Sequence, residues 1–303
     1  MALDGVLVVD KPSGMTSHDV VDVVRKAAGQ RKVGHTGTLD PDATGVLVLC
    51  LGRATRLVRF LQSGEKTYTA RAVLGVSTTS QDASGDVVTE TDASHVTEQD
   101  VERALESFRG DIEQIPPMVS AVKVDGERLH HKARRGEVVE REPRSVTVHA
   151  LDLEDFVGAT PHPEIAFRVT CSAGTYVRTL AHDLGEMLGV GAHLTELRRV
   201  ANGPFTEGDA VALSTIESCG SPEELAALLA DPLTATSHLP TIEVGDDVVR
   251  SLVHGGRLDA QDQPDVYAVA WAGRLVGIYR DASGQGRPEI VLLRPDALEE
   301  VSR

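Results

Sequence analysis

The sequence predicts an α+β fold: a mixed, largely antiparallel central sheet with flanking helices over residues 1–239, then a small all-β domain over residues 240–303. Three observations lead there. Segments alternating apolar and polar residues interleave with segments of helical spacing, yet no regular βαβ repeat emerges. Leu239-Pro240 interrupts the chain, and four short alternating runs follow it, separated by Gly, Asp and Pro turns. A chain of 303 residues is also long enough to bury one sizeable core and a smaller one.

Taken in order, residues 6–9 read as a short strand, and Ser17 is placed to cap a helix from His18 to about Ala28. The apolar run Val46 to Leu51 reads as a buried strand, and Lys66 to Val76 and Glu164 to Cys171 as half-buried ones rich in β-branched residues. Between the last two, Val101, Ala104, Leu105 and Phe108 recur at helical spacing, with Thr97 as N-cap and Gly110 beyond the end. Thr179 to Leu188 and Glu223 to Leu229 complete the helices. In the C-terminal part the runs IEV, VYAVAW, RLVGIYR and EIVLLRP are strands.

Composition narrows the function. Apolar residues make up 41% of the chain, as in an ordinary globular protein, and no run of 18 or more apolar residues occurs. The N-terminus lacks the basic-then-apolar pattern of a signal peptide, so a cytoplasmic protein away from membranes is expected. Three cysteines, widely spaced and without a CxxC pair, suggest neither a disulfide framework nor structural zinc. The net charge of −16 argues against coating nucleic acid by bulk attraction. That charge is uneven, however. Lys plus Arg against Asp plus Glu runs 10 to 7 over residues 1–72 and 7 to 5 over 116–145, but 2 to 10 over 73–115. Local basic surfaces therefore remain available for phosphate contacts, which act only over about 10 Å in salt.

Residues 34–47, GHTGTLDPDATGVL, set Asp40 in a loop of small residues with no metal-ligand spacing around it. Gly34, Gly37 and Gly45 permit tight turns and close approach of another molecule, and Pro41 biases Asp40 away from helix. Read alone, an Asp-Pro step is an ordinary turn entering a strand. Five further segments change its weight: VDKPSGMTSHDVV (9–21), KTYTARAVLG (66–75), PPMVSAVKVDGERLHHKARRGE (116–137), GTYVRTLAHDLG (174–185) and HLTELRRVANGPF (193–205).

In this order the six segments resemble the TruB family of tRNA pseudouridine synthases, over roughly residues 3–235. The resemblance implies an enzyme that isomerises uridine 55 in the T loop of tRNA, with no cofactor, no metal and no obligate protein partner. It makes Asp40 the catalytic carboxylate and Arg178 the arginine that holds it ionised. Tyr68 and Tyr176 match tyrosines at the target base, Leu197 an apolar wall beside the flipped nucleotide, and His35 a histidine that assists its displacement. Lys11 and Pro12 match the KPxG element, as a contact or a structural support. Lys123, Arg128, Lys132, Arg134 and Arg135 are candidate phosphate contacts, although a charge run is commonly a solvated face. The C-terminal runs resemble a PUA-like extension. A base inside an RNA loop must be flipped out before its glycosidic bond is reached, at a cost of a few kcal/mol.

Two departures stand out. Asp42 follows where leucine is usual, and would raise the pKa of Asp40 if it faced the site; His130 replaces a tyrosine. Two other readings use the same residues: an RNA-binding module that helps tRNA fold without chemistry, and a metal-dependent hydrolase built on Asp40 and His35. The second lacks further ligands at coordinating spacing.

Overall fold

The computed structural model describes residues 2–118, 120, 123, 124, 126–128, 135, 137 and 139–300. The chain forms two compact units interleaved in sequence. One takes the residues up to Pro41, Gly45–Gly64 and everything from Ala201 onward; the other takes Asp42–Thr44 and Glu65–Val200.

The first unit is organised around β1 (Gly5–Lys11) and β3 (Thr44–Leu51), which pair antiparallel from Gly5↔Leu51 to Lys11↔Gly45. Strand β2 (Val33–His35) adds to β3, and β14 (Val211–Ala212) pairs β1 in parallel, which makes the sheet mixed. Helix α1 (Ser17–Ala27) starts one residue earlier than expected, because Thr16 rather than Ser17 is its N-cap. Thr16 accepts from the Asp19 amide and Asp19 reciprocates, a capping box that satisfies two helix-end donors. The helix expected over 223–229 runs over Pro222–Ala226 instead, capped by Ser221; beyond it Ala230 bridges to Val6 and draws the chain out of the helix.

Thr241 begins a separate five-stranded sheet, in the order β15 (Thr241–Glu243), β17 (Tyr267–Trp271), β18 (Arg274–Ala282), β19 (Gln285–Val291), β16 (Leu258–Asp259). It carries a helix, Asp246–Leu252, that the all-β expectation omitted. Strand alternation divides its side chains between two cores. Tyr267, Val269 and Trp271 pack with Val249 and Leu252, while Val266, Ala268, Ile278 and Ile290 join one cluster with Val6, Val8, Val46 and Val48. One face of the C-terminal sheet thus closes the core behind the strand that carries the Asp40 loop.

The second unit holds an antiparallel array in the order β4 (Lys66–Leu74), β11 (Glu164–Cys171), β10 (Arg144–Val157), β7 (Gly110–Gln114). Strand β4 stops before Val76, where Gly75 turns the chain at φ +87°. The Glu98–Glu106 helix has the expected Thr97 cap, reinforced by Asp100. Helix Val177–Met187 begins two residues before its expected start, with Tyr176 as N-cap. Strand β12 (Ala192–Asn202) runs through HLTELRRVAN, a segment to which the sequence assigned no element. The architecture is α+β with a mixed sheet and a small C-terminal β domain, as predicted.

Candidate active site

In the first unit the loop bearing Asp40 is pinned on both sides of that residue. The Ser17 hydroxyl accepts from the Leu39 amide at 2.8 Å and donates to the Leu39 carbonyl at 3.2 Å. On the other side the Pro41 carbonyl accepts from the Gly14 amide at 3.0 Å and from Lys11 Nζ at 2.9 Å. Asp40 itself is half-buried between these anchors. The loop exits into β3 through Gly45 at φ +98°, the one of its three glycines that adopts the left-handed region. Thr36 ties the loop's other end to the sheet, donating its amide to Val48 and accepting from Asn202 Nδ2 at 3.2 Å.

Lys11 is 0% exposed, and its ammonium also donates to the Pro12 and Met15 carbonyls at 2.8 and 2.6 Å. Three carbonyls accept from Lys11, and the cation braces the turn that supports Asp40. His35, at the end of β2, meets the His18 ring edge-on at 6.5 Å. Asp42 is exposed, which leaves its charge in solvent.

In the second unit Tyr68 is buried on β4, with Val169 as its strand partner, and Leu197 is half-buried on β12. Arg178, in the first turn of the Val177–Met187 helix, is only 4% exposed. Its guanidinium meets Asp82 Oδ2 at 3.0 Å and donates to the Ser80 carbonyl at 3.1 Å. Asp82 accepts in addition from Ser80 Oγ at 2.6 Å, Ser84 Oγ at 2.5 Å and the Ser84 amide at 3.1 Å. Burial pushes the Asp82 carboxyl up, but the Ser80 and Ser84 hydrogen bonds and the Arg178 charge outweigh it and hold the group below the usual carboxylate range. Next to Asp82, Gln81 sits at φ +65° and accepts from the Thr179 hydroxyl at 2.8 Å. A small polar loop thus grips consecutive residues of the helix that presents Arg178.

Lys66 lies two residues before Tyr68 on the same face of β4 and is 6% exposed. Burial, and secondly the nearby Arg199 charge, bring its ammonium down to about 8. Between about pH 8 and 10.5 the unfolded chain holds a proton here that the folded chain has given up, so stability rises with pH. Relative to Lys66→Met, the wild type is expected to gain about 3 kcal/mol across that window. Urea midpoints of both proteins at the two pH values test this, and a constant difference would show that Lys66 stays charged when folded.

Residues 25–177 match the TruB family pseudouridylate synthase N-terminal domain, and residues 178–233 match the tRNA pseudouridylate synthase B C-terminal domain. The chain belongs to the TruB family of pseudouridylate synthases. It is 52% identical to tRNA pseudouridine synthase B of Symbiobacterium thermophilum over 256 residues, 84% of this chain and 82% of that protein. With the enzyme of the same name from Thermobifida fusca it shares 44% over 299 residues, 95% of this chain and 98% of that one. Among solved structures it resembles a chain of a Cbf5-Nop10-Gar1 complex at TM-score 0.75 and 29% identity, covering 98% of this chain and 87% of that chain. A chain of an H/ACA RNP bound to a substrate RNA containing 2'-deoxyuridine matches at TM-score 0.73 and 27% identity, covering 96% and 86%.

As a TruB-family pseudouridine synthase the protein forms pseudouridine in RNA. Its fold gathers Lys11, His35 and Asp40 in one unit and Tyr68, Tyr176, Arg178 and Leu197 in the other. Of the basic candidates, Lys132 and Arg134 lie outside the described residues, as does His130, and Lys123 and Arg128 fall on the short strands Lys123–Val124 and Glu127–Arg128. Arg135 is held by Glu127 at 2.6 Å and Glu137 at 2.7 Å, so a phosphate reaching it competes with two carboxylates. Sequence reasoning missed Asp82 and Ser17. Asp82 stands 96 residues before its arginine, where the only local signal is one acid in the small polar stretch TSQDASG. Among the described residues no group of three His, Cys, Asp or Glu is arranged to hold a metal ion, and no helix is long and apolar enough to cross a membrane.

Proposed function

We propose that this enzyme isomerises uridine 55 in the T loop of tRNA, with Asp40 acting on a nucleotide flipped out of the loop. One observation carries the reading. Asp40 is a half-buried carboxylate whose two chain neighbours are anchored by Ser17, Gly14 and Lys11, so its carboxylate has the small positional freedom that attack on a bound nucleotide requires. The named relatives act on tRNA, which supports the substrate class.

In this reading Asp40 cleaves the N1 glycosidic bond and the uracil rejoins ribose through C5, while Arg178 keeps Asp40 ionised. Tyr68 and Tyr176 face the base, Leu197 walls the pocket, and His35 fills the gap the flipped nucleotide leaves. Lys123, Arg128, Lys132, Arg134 and Arg135 contribute phosphate contacts, and residues 240–303 form a PUA-like domain. The chemistry needs neither cofactor nor metal, and it is placed in the cytoplasm, where tRNA is available.

The test is single-turnover pseudouridine formation on an unmodified tRNA T stem-loop with enzyme in excess. Product at the loop uridine, unaffected by exhaustive chelation, is expected. Tight binding without product would replace this reading with that of an RNA-folding module.

A further inference from the structure

We infer that Gln114 is a positioning residue for Tyr176. Gln114 ends β7, is 2% exposed, and lies 62 residues before the tyrosine in sequence. Its side-chain amide makes both of the hydrogen bonds that a backbone neighbour would make: Oε1 accepts from the Tyr176 amide at 2.9 Å, and Nε2 donates to the Tyr176 carbonyl at 3.2 Å. The orientation of the carboxamide is forced, because the Tyr176 amide only donates and its carbonyl only accepts.

Tyr176 is where such a clamp has a consequence. As N-cap of the Val177–Met187 helix it has extended geometry, φ −100° and ψ 104°, and its side chain makes no capping hydrogen bond. Ser, Thr, Asp or Asn at that position would secure the turn from within. Here the tyrosine side chain does not cap, and the turn is secured from outside, by the side chain that ends β7. With the backbone of Tyr176 fixed at both polar atoms, the direction of its Cα–Cβ bond is fixed too, which leaves the ring only its staggered rotamers about a fixed origin. Arg178 follows two residues later in the same turn, held by Asp82. Gln114 also closes β7 immediately before the Ile115-Pro116-Pro117 segment that leads to the basic stretch. One residue therefore joins the base-facing tyrosine to the start of the segment read as contacting RNA phosphates.

The inference rests on the reading of Tyr176 as a base contact, and the experiment separates the two. Single-turnover rate and tRNA affinity are measured for wild type, Gln114→Ala, Gln114→Glu, Tyr176→Ala and the double variant Gln114→Ala/Tyr176→Ala. Gln114→Ala is expected to slow the bound-state step roughly ten- to hundredfold, as misplacement of a reacting group does, and to change affinity by less than about threefold. Gln114→Glu keeps the shape and the acceptor but loses the donor at neutral pH, so its rate should fall between the two. In the Tyr176→Ala background, removing Gln114 should cost little further rate, because the ring it aims is gone. A full additional loss in that background, or an unchanged rate in Gln114→Ala, overturns the positioning role. If Gln114→Ala does not fold, the same decision falls to Gln114→Glu: a wild-type rate there overturns the inference. Loss of affinity instead of rate does the same. An unchanged rate in Tyr176→Ala alone would overturn the base-contact reading itself.

Discussion

Asp40→Asn is expected to bind the T stem-loop with wild-type affinity and to form pseudouridine at least about 10⁴-fold more slowly, the scale seen when a nucleophile is removed. The substitution changes one oxygen to an amide nitrogen, and the anchors at the Leu39 and Pro41 backbone are untouched by it. The loop should therefore keep its shape while its chemistry is lost. Rapid-quench single-turnover assays with enzyme in excess isolate that step from binding and product release. Retained isomerisation would refute Asp40 as the reacting group, and a matching loss of affinity would make it a binding residue instead.

Asp82→Ala is expected to destabilise the protein by about 3–5 kcal/mol, because it removes the carboxylate that pairs with the buried Arg178 guanidinium. The same variant should slow single-turnover catalysis roughly a hundredfold, since a side chain displaced near the reacting atoms loses rate on that scale. Denaturant midpoints and rates measured together distinguish the effects. The pH dependence gives an independent check. Asp82 has its folded pKa below the unfolded one, so its contribution is present above the unfolded pKa and disappears as pH falls through the folded value. The stability gap between wild type and Asp82→Asn should therefore close in acid. Unchanged stability in both variants would mean that the buried Arg178 charge does not depend on Asp82.

Much was legible in the chain because its signals are local. Thr97 ahead of Val101, Ala104 and Leu105 announces a capped helix, and the runs after Pro240 alternate with the period of a strand, so their elements follow from sequence alone. Elsewhere local pattern was silent or misled. HLTELRRVAN, to which the sequence assigned no element, places Leu194, Leu197 and Val200 at intervals of three, and the segment is strand β12 because the ladder decides it. Ser17 read as a helix cap; the tertiary fold gives its hydroxyl to Leu39 and leaves Thr16 to cap.

By itself the sequence determined the fold class and the family, since six ordered segments and the period of the apolar residues are properties of the chain. Only the tertiary structure decided which side chains support others. Asp82 meets Arg178 across 96 residues, Gln114 clamps Tyr176 across 62, and Lys11 reaches the Pro41 carbonyl across 30. Such pairings carry no local signal, because they are selected by the geometry of strands and turns brought together on folding. Their strength comes from burial, which makes each partner costly to leave unsatisfied.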